Sequence, residues 1–94
     1  MSVLGKYKKQ PVEVESYTIN YAEDLTVGDE VISATAVVIP AGSMTVASID
    51  VAVSSVRVWV SGGTDGVKYK VEVTSVTGDG RTMQDEFYVT IKDY

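Results

Sequence analysis

This chain predicts an all-β fold, an antiparallel sandwich of about six to seven strands, on three observations. Residues 56–81 read VRVWVSGGTDGVKYKVEVTSVTGDGR, in which two runs rich in β-branched and aromatic residues alternate with period two. A turn of Ser61, Gly62, Gly63, Thr64, Asp65 and Gly66 separates the runs, and the second stops at Gly78-Asp79-Gly80. Alternation bounded by Gly/Asp clusters is the strand–turn–strand pattern. Finally, no segment sustains a helical period; the short stretch 22–25 falls below the length at which a helix is stable. A chain of 94 residues makes one domain with a modest core, and 45% hydrophobic content is ordinary for a folded one.

The elements follow in order. Residues 1–11 read as a flexible N-terminal arm closed by Pro11, and residues 12–94 as the sandwich. Val12-Glu13-Val14-Glu15 alternates, and Tyr17, Ile19 and Tyr21 continue on one face opposite Thr18 and Asn20, giving a first strand. Residues 23–29 read as a turn in which Leu25 tucks into the core while the acids face water. Residues 31–39 form a second strand, whose small Ala34 and Ala36 predict close approach of the opposing sheet. Pro40-Ala41-Gly42 ends it, because proline cannot donate to a ladder and glycine permits a tight bend. A third strand region spans 44–53, its alternation blurred by Ser48 and Asp50; residues 56–60, 67–77 and 82–92 supply the rest.

Composition narrows the chemistry. The chain has no cysteine and no histidine, which removes the thiol nucleophile, the disulfide staple, the commonest general base and the commonest metal ligand. No catalytic, cofactor or metal residue is assigned, and a non-enzymatic role is expected. Two sets of acids, Asp65, Asp79, Asp85 and Glu86 or Glu23, Asp24, Asp29 and Glu30, have the hard oxygen atoms that calcium takes, without the spacing of a calcium loop. Asp85 and Glu86 are adjacent on a strand and point to opposite faces, a poor geometry for an acid–base pair. Gly62-Gly63-Thr64-Asp65-Gly66 leads into a strand, whereas a phosphate cradle leads into a helix. Those glycines, with Gly80, serve turn geometry.

The net charge of −5 is unevenly spread. Lys6, Lys8 and Lys9 fall in the acid-free first eleven residues, while the remainder holds all 13 acids against five bases. A negative body repels phosphates and argues against nucleic acid. No run of about 18 apolar residues is present to span a membrane. The opening Met1-Ser2-Val3-Leu4-Gly5-Lys6 lacks the regions of a secretory signal, which fits synthesis in a cytoplasm. Two sets of interface candidates emerge. One is the lysine cluster Lys6, Lys8 and Lys9, suited to an acidic neighbour; the other is Arg57 and Trp59, which alternation places opposite Val56, Val58 and Val60.

Gly66-Val67-Lys68-Tyr69 followed by alternation resembles the tyrosine corner of immunoglobulin and fibronectin III sandwiches, where a tyrosine opening strand F turns its hydroxyl back onto upstream backbone. Tyr69 fits that place, making residues 56–60 strand E, 67–77 strand F and 82–92 strand G. The antibody pattern of two cysteines around a tryptophan is absent, so the likeness is to Ig-like sandwiches in the broad sense.

A more specific likeness covers most of the chain. Leu25-Thr26-Val27-Gly28-Asp29, then Trp59-Val60-Ser61-Gly62-Gly63 before the tyrosine strand, then Gly80-Arg81, occur in the order found in small Ig-like virion proteins of tailed phages. The chain resembles those described as fibre–tail adaptors. The resemblance implies a structural subunit of a phage or prophage particle, made in the host cytoplasm and docked against other tail or fibre proteins, with a homo-oligomer only in the assembled particle. The competing reading is a carbohydrate-binding or adhesion module, which requires Tyr7, Tyr88 and Tyr94 to gather with Trp59.

Overall fold

The computed structural model describes residues 2–93. Seven strands run in order: β1 (Ser2–Lys9), β2 (Val14–Asn20), β3 (Val31–Ile39), β4 (Thr45–Val51), β5 (Ser55–Ser61), β6 (Lys68–Thr77) and β7 (Thr82–Ile91). They form a four-stranded sheet, β1-β7-β6-β3, and a three-stranded sheet, β2-β5-β4. Four ladders are antiparallel; β1 and β7 pair in parallel. This is an Ig-like β-sandwich, with β5, β6 and β7 as its E, F and G strands.

Alternation decides the core. Val56, Val58 and Val60 of β5 face Tyr69, Val71 and Val73 of β6 and Phe87, Val89 and Ile91 of β7, and all are buried. Ala34 and Ala36 pack against this core from β3, and Leu25 from the loop after β2. Ser75 and Thr77 continue the inward row of β6, and Ser75 Oγ meets the buried Tyr21 hydroxyl at 3.1 Å. Burial is the main reason that the Tyr21 phenol is pushed up to about 12.

The N-terminal segment departs from the sequence reading. Where an arm over 1–11 is expected, residues 2–9 form an edge strand of the four-stranded sheet. Tyr7 leans toward the other sheet, its ring centroid 4.5 Å from that of Tyr17 and 6.0 Å from that of Phe87, while its own ring stays partly in water. A parallel partner some eighty positions away leaves no hairpin signal in the sequence.

Candidate functional site

The two outer faces of the sandwich have different chemistry. On the three-stranded sheet, Arg57 and Trp59 point away from the buried valines, as the alternation of β5 requires. Register places Ser16 and Ser48 on either side of Trp59, and Thr18 and Asp50 on either side of Arg57. The indole N–H donates to Asp50 Oδ2 at 3.0 Å, and Arg57 Nε donates to Thr18 Oγ1 at 3.4 Å. The half-buried indole therefore lies between two serine positions and is tethered through its N–H to Asp50. The N-terminal segment joins the other sheet and does not cover it.

The outer face of the four-stranded sheet carries the exposed lysines. Lys6 is level with Tyr88 on β7, which is level with Lys70 on β6; Lys8 is level with Thr90 and then Lys68. Lys68 Nζ lies 4.6 Å from the Tyr88 ring centroid, a cation–π contact. Lys70 reaches Glu72 at 3.6 Å. Half of the eight basic residues thus gather on one half-face of an acidic protein. Lys68 and Lys70 escape the sequence reading, which takes Tyr88 only as an aromatic for a sugar site. The alternation of β6 puts both lysines outward, but only the parallel β1–β7 pairing brings Lys6 and Lys8 beside them.

Lys9 is corrected by the structure. As an interface candidate it needs exposure, yet it is fully buried, and its ammonium donates to the Gln10 carbonyl at 2.8 Å and the Gly62 carbonyl at 2.6 Å. Burial lowers its pKa from the ordinary lysine value, against the pull of Glu13 and Glu15. Lys9 therefore fastens β1 to the turn after β5. In that turn Gly62 and Gly63 have φ of 75° and 117°, in the left-handed region that favours glycine. A Cβ on Gly62 would collide with the Ser43 carbonyl oxygen, and one on Gly63 would sit 2.5 Å from Ile91 Cγ1. The Tyr69 hydroxyl accepts the Thr64 N–H at 3.1 Å, closing the corner at the same end. Gly66 and Gly80 also have positive φ, in turns open to solvent.

The opposite end is fastened by a carboxylate. Asp29 Oδ1 accepts the N–H groups of Glu30 at 2.9 Å and Asp79 at 3.0 Å, tying the loop after β2 to the β6–β7 hairpin. Its Oδ2 is buried with no hydrogen bond of good geometry among the described residues, and the Thr77 hydroxyl is the side-chain donor that acts on the carboxylate. Burial alone would raise this carboxyl; Thr77, the two backbone donors and the Arg81 charge outweigh it and hold it below the ordinary value. Arg81 Nη1 also donates to the Asp24 carbonyl, and Thr26 Oγ1 to Asp79 Oδ2 at 3.4 Å. A depression of about 270 Å³ beside this strap is lined by Tyr21, Asp24, Arg81, Met83, Gln84 and Asp85. No group of three or more acids is placed to hold a metal ion among the described residues.

The molecule is thus an Ig-like sandwich with fastened ends and two polar, partly aromatic faces. The family model of the podophage GP4 fiber-tail adaptor protein gp77 matches residues 9–90, and the chain belongs to this family of structural phage tail fibre adaptors. The Asp29 turn and the Gly80-Arg81 turn, which carry that resemblance in the sequence, meet at one end of the fold. No curated protein matches the chain. Among solved structures it is similar to a 2,6-sialyltransferase of Vibrionaceae Photobacterium sp. JT-ISH-224, determined with CMP and lactose. The TM-score is 0.52 at 12% identity, covering 96% of this chain and 17% of that one. At that identity the likeness is one of fold alone.

Proposed function

We propose that this chain is a non-enzymatic virion subunit, made in the host cytoplasm, that joins two larger tail or fibre components through opposite faces of its sandwich. The observation that carries the proposal is the separation of the two faces: the Arg57–Trp59 patch lies on one sheet and the Lys6–Lys8–Lys68–Tyr88 patch on the other. The whole molecule measures 45 × 21 × 19 Å. A joint needs two surfaces that do not compete. A half-buried tryptophan beside an arginine is the composition of an interface anchor. A basic half-face suits an acidic partner surface, favouring fast and specific encounter. The sugar-binding alternative needs its aromatics on one face, whereas Trp59 and Tyr88 belong to opposite sheets and Tyr7 stacks on Tyr17; Tyr94 lies outside the described residues.

The test is incorporation into particles of Trp59→Ala and of the pair Lys6→Glu with Lys8→Glu, alongside thermal melting of each purified variant. Each variant is expected to melt like the parent and to lower incorporation or fibre attachment several-fold, with the two blocking different attachments. Normal particles from both variants would remove the two-face reading.

A further inference from the structure

We propose that the exposed edge of β3 is a self-recognition surface, pairing antiparallel with β3 of a second copy of this chain to join two four-stranded sheets into one of eight strands. The proposal concerns a third surface, separate from the two outer faces, and stands independently of them.

A free sheet edge presents unpaired N–H and C=O groups, and proteins commonly protect it with charge, proline or a bulge. Three of the four edges here are protected in that way. β1 carries Lys6, Lys8 and Lys9; β2 carries Glu15; β4 carries Asp50 and a register shift in mid-strand between Val46 and Ser48. β3 carries no charge or proline over its nine residues; its first step holds a shift between Val31 and Ser33, where the Val31 N–H donates to the Val53 carbonyl at 2.9 Å, so the edge offered to a partner runs over residues 33–39. Its sequence, VISATAVVI, also leaves large β-branched side chains in water, with Ile32 57%, Val37 56% and Ile39 41% exposed.

Charge selects the occupant. No residue between Glu30 and Asp50 is ionisable, although the chain as a whole has a net charge of −5. Two copies meeting edge to edge along β3 bring neutral strands together, with no like charges opposed. The strand is also self-complementary. With a two-fold axis at Thr35, Thr35 faces its own copy, Ala34 faces Ala36, Ser33 faces Val37, and the flanking Glu30 is level with Pro40. No like-charged pair arises, and a threonine pair directly opposite is a favourable cross-strand match. The contact is isologous, so it closes as a pair and does not propagate. It offers a surface for the homo-oligomer expected only in the assembled particle, where local concentration is high.

The absence of cysteine makes the register directly testable. Residues opposite each other in an antiparallel pair have Cα atoms about 4.5–5.5 Å apart, inside the span of about 4.4–6.8 Å that a disulfide bridges. Full-length Thr35→Cys, oxidised mildly with diamide, is expected to form a linked dimer at least about tenfold faster than Thr82→Cys, an exposed position at the start of β7. A mixture of Ser33→Cys and Val37→Cys is expected to cross-link to each other faster than either links to itself. This second arm decides the matter if Thr35→Cys does not fold. Equal rates for Thr35→Cys and Thr82→Cys, or Ser33→Cys and Val37→Cys homodimers forming as fast as the mixed pair, overturn the proposal.

Discussion

The two ends of this sandwich face the same problem and meet it with opposite charges. Loops leaving a sheet carry backbone groups that need partners once they are buried. At the glycine end, the Lys9 ammonium satisfies the carbonyls of Gln10 and Gly62, and the Tyr69 hydroxyl accepts the Thr64 N–H. At the acid end, the Asp29 carboxylate accepts the N–H groups of Glu30 and Asp79. The glycine end depends on shape, because Gly62 and Gly63 are crowded by Ser43 and Ile91. The acid end depends on an ionised group in a buried place. One end is therefore sensitive to volume and the other to protons, which is a difference that substitution and pH expose separately.

Gly63→Val should have the largest effect. The new side chain meets Ile91 Cγ1 and Cδ1 at 2.5 and 2.6 Å while the backbone holds φ at 117°, so overpacking and left-handed strain add. Together they cost about 3 to 5 kcal/mol, a large share of the stability of a small domain. The urea midpoint measures it. A midpoint near that of the parent would mean that the glycine end yields without strain and that shape is not what fastens it.

Asp29→Ala comes next and breaks the other end. It leaves the Glu30 and Asp79 amides without their acceptor and should lower the melting temperature by several degrees at neutral pH. Asp29→Asn keeps an acceptor oxygen and should fall between the two, separating hydrogen bonding from charge. The pH dependence follows from the depressed carboxyl. In the unfolded chain Asp29 titrates at its ordinary value of 3.8, and in the folded chain lower. The unfolded state therefore binds the proton first, so this contribution is complete above pH 3.8 and is lost as pH falls through the folded value. Asp29→Asn should flatten that acid limb in melts run from pH 6 downward. An unaltered limb would place the acid sensitivity on other carboxylates.

Much of this architecture is legible in the sequence, and what is hidden has a common cause. The strands from residue 56 onward, and the division of Trp59 and the valines onto opposite faces, follow from period two and local turns; which of the two faces is the core does not, and burial of the valines decides it. Tyr69 stands at a fixed offset from Gly66, so its corner is readable too. Lys9, Asp29 and the Lys6–Tyr88 alignment are not, because each gains its role from residues fifty or more positions away. Lys9 looks like one of three equivalent lysines, and only the close approach of Gly62 makes it a buried donor. Asp29 looks like one more turn acid, and only the β6–β7 hairpin makes it a clasp. Local pattern reveals which way a side chain points; it does not reveal what the topology brings to meet it.

Tyr69→Phe should have the smallest effect of these and sharpens the contrast most finely. It keeps the buried ring and removes only the hydroxyl, leaving the Thr64 N–H without its acceptor while preserving the packing against the core. The expected loss is about 1 to 1.5 kcal/mol, one net hydrogen bond, read as a shift in denaturant midpoint at constant slope. A second readout identifies the group itself. Hydrogen bonds from Thr64, through its side chain and its backbone, outweigh burial and hold the Tyr69 phenol below its ordinary value of 10.0, whereas burial pushes Tyr17 and Tyr21 up to about 12. Tyr69 should then be the first of these three to ionise in an ultraviolet titration, and Tyr69→Phe should remove that early component while leaving the late ones in place. Because the folded phenol ionises before the unfolded one, its deprotonation adds to stability as pH rises toward 10.0, the reverse of what Tyr17 and Tyr21 do higher up. If the early component survives the substitution, the hydroxyl is not poised by Thr64, and the glycine end is fastened by Lys9 and close packing alone.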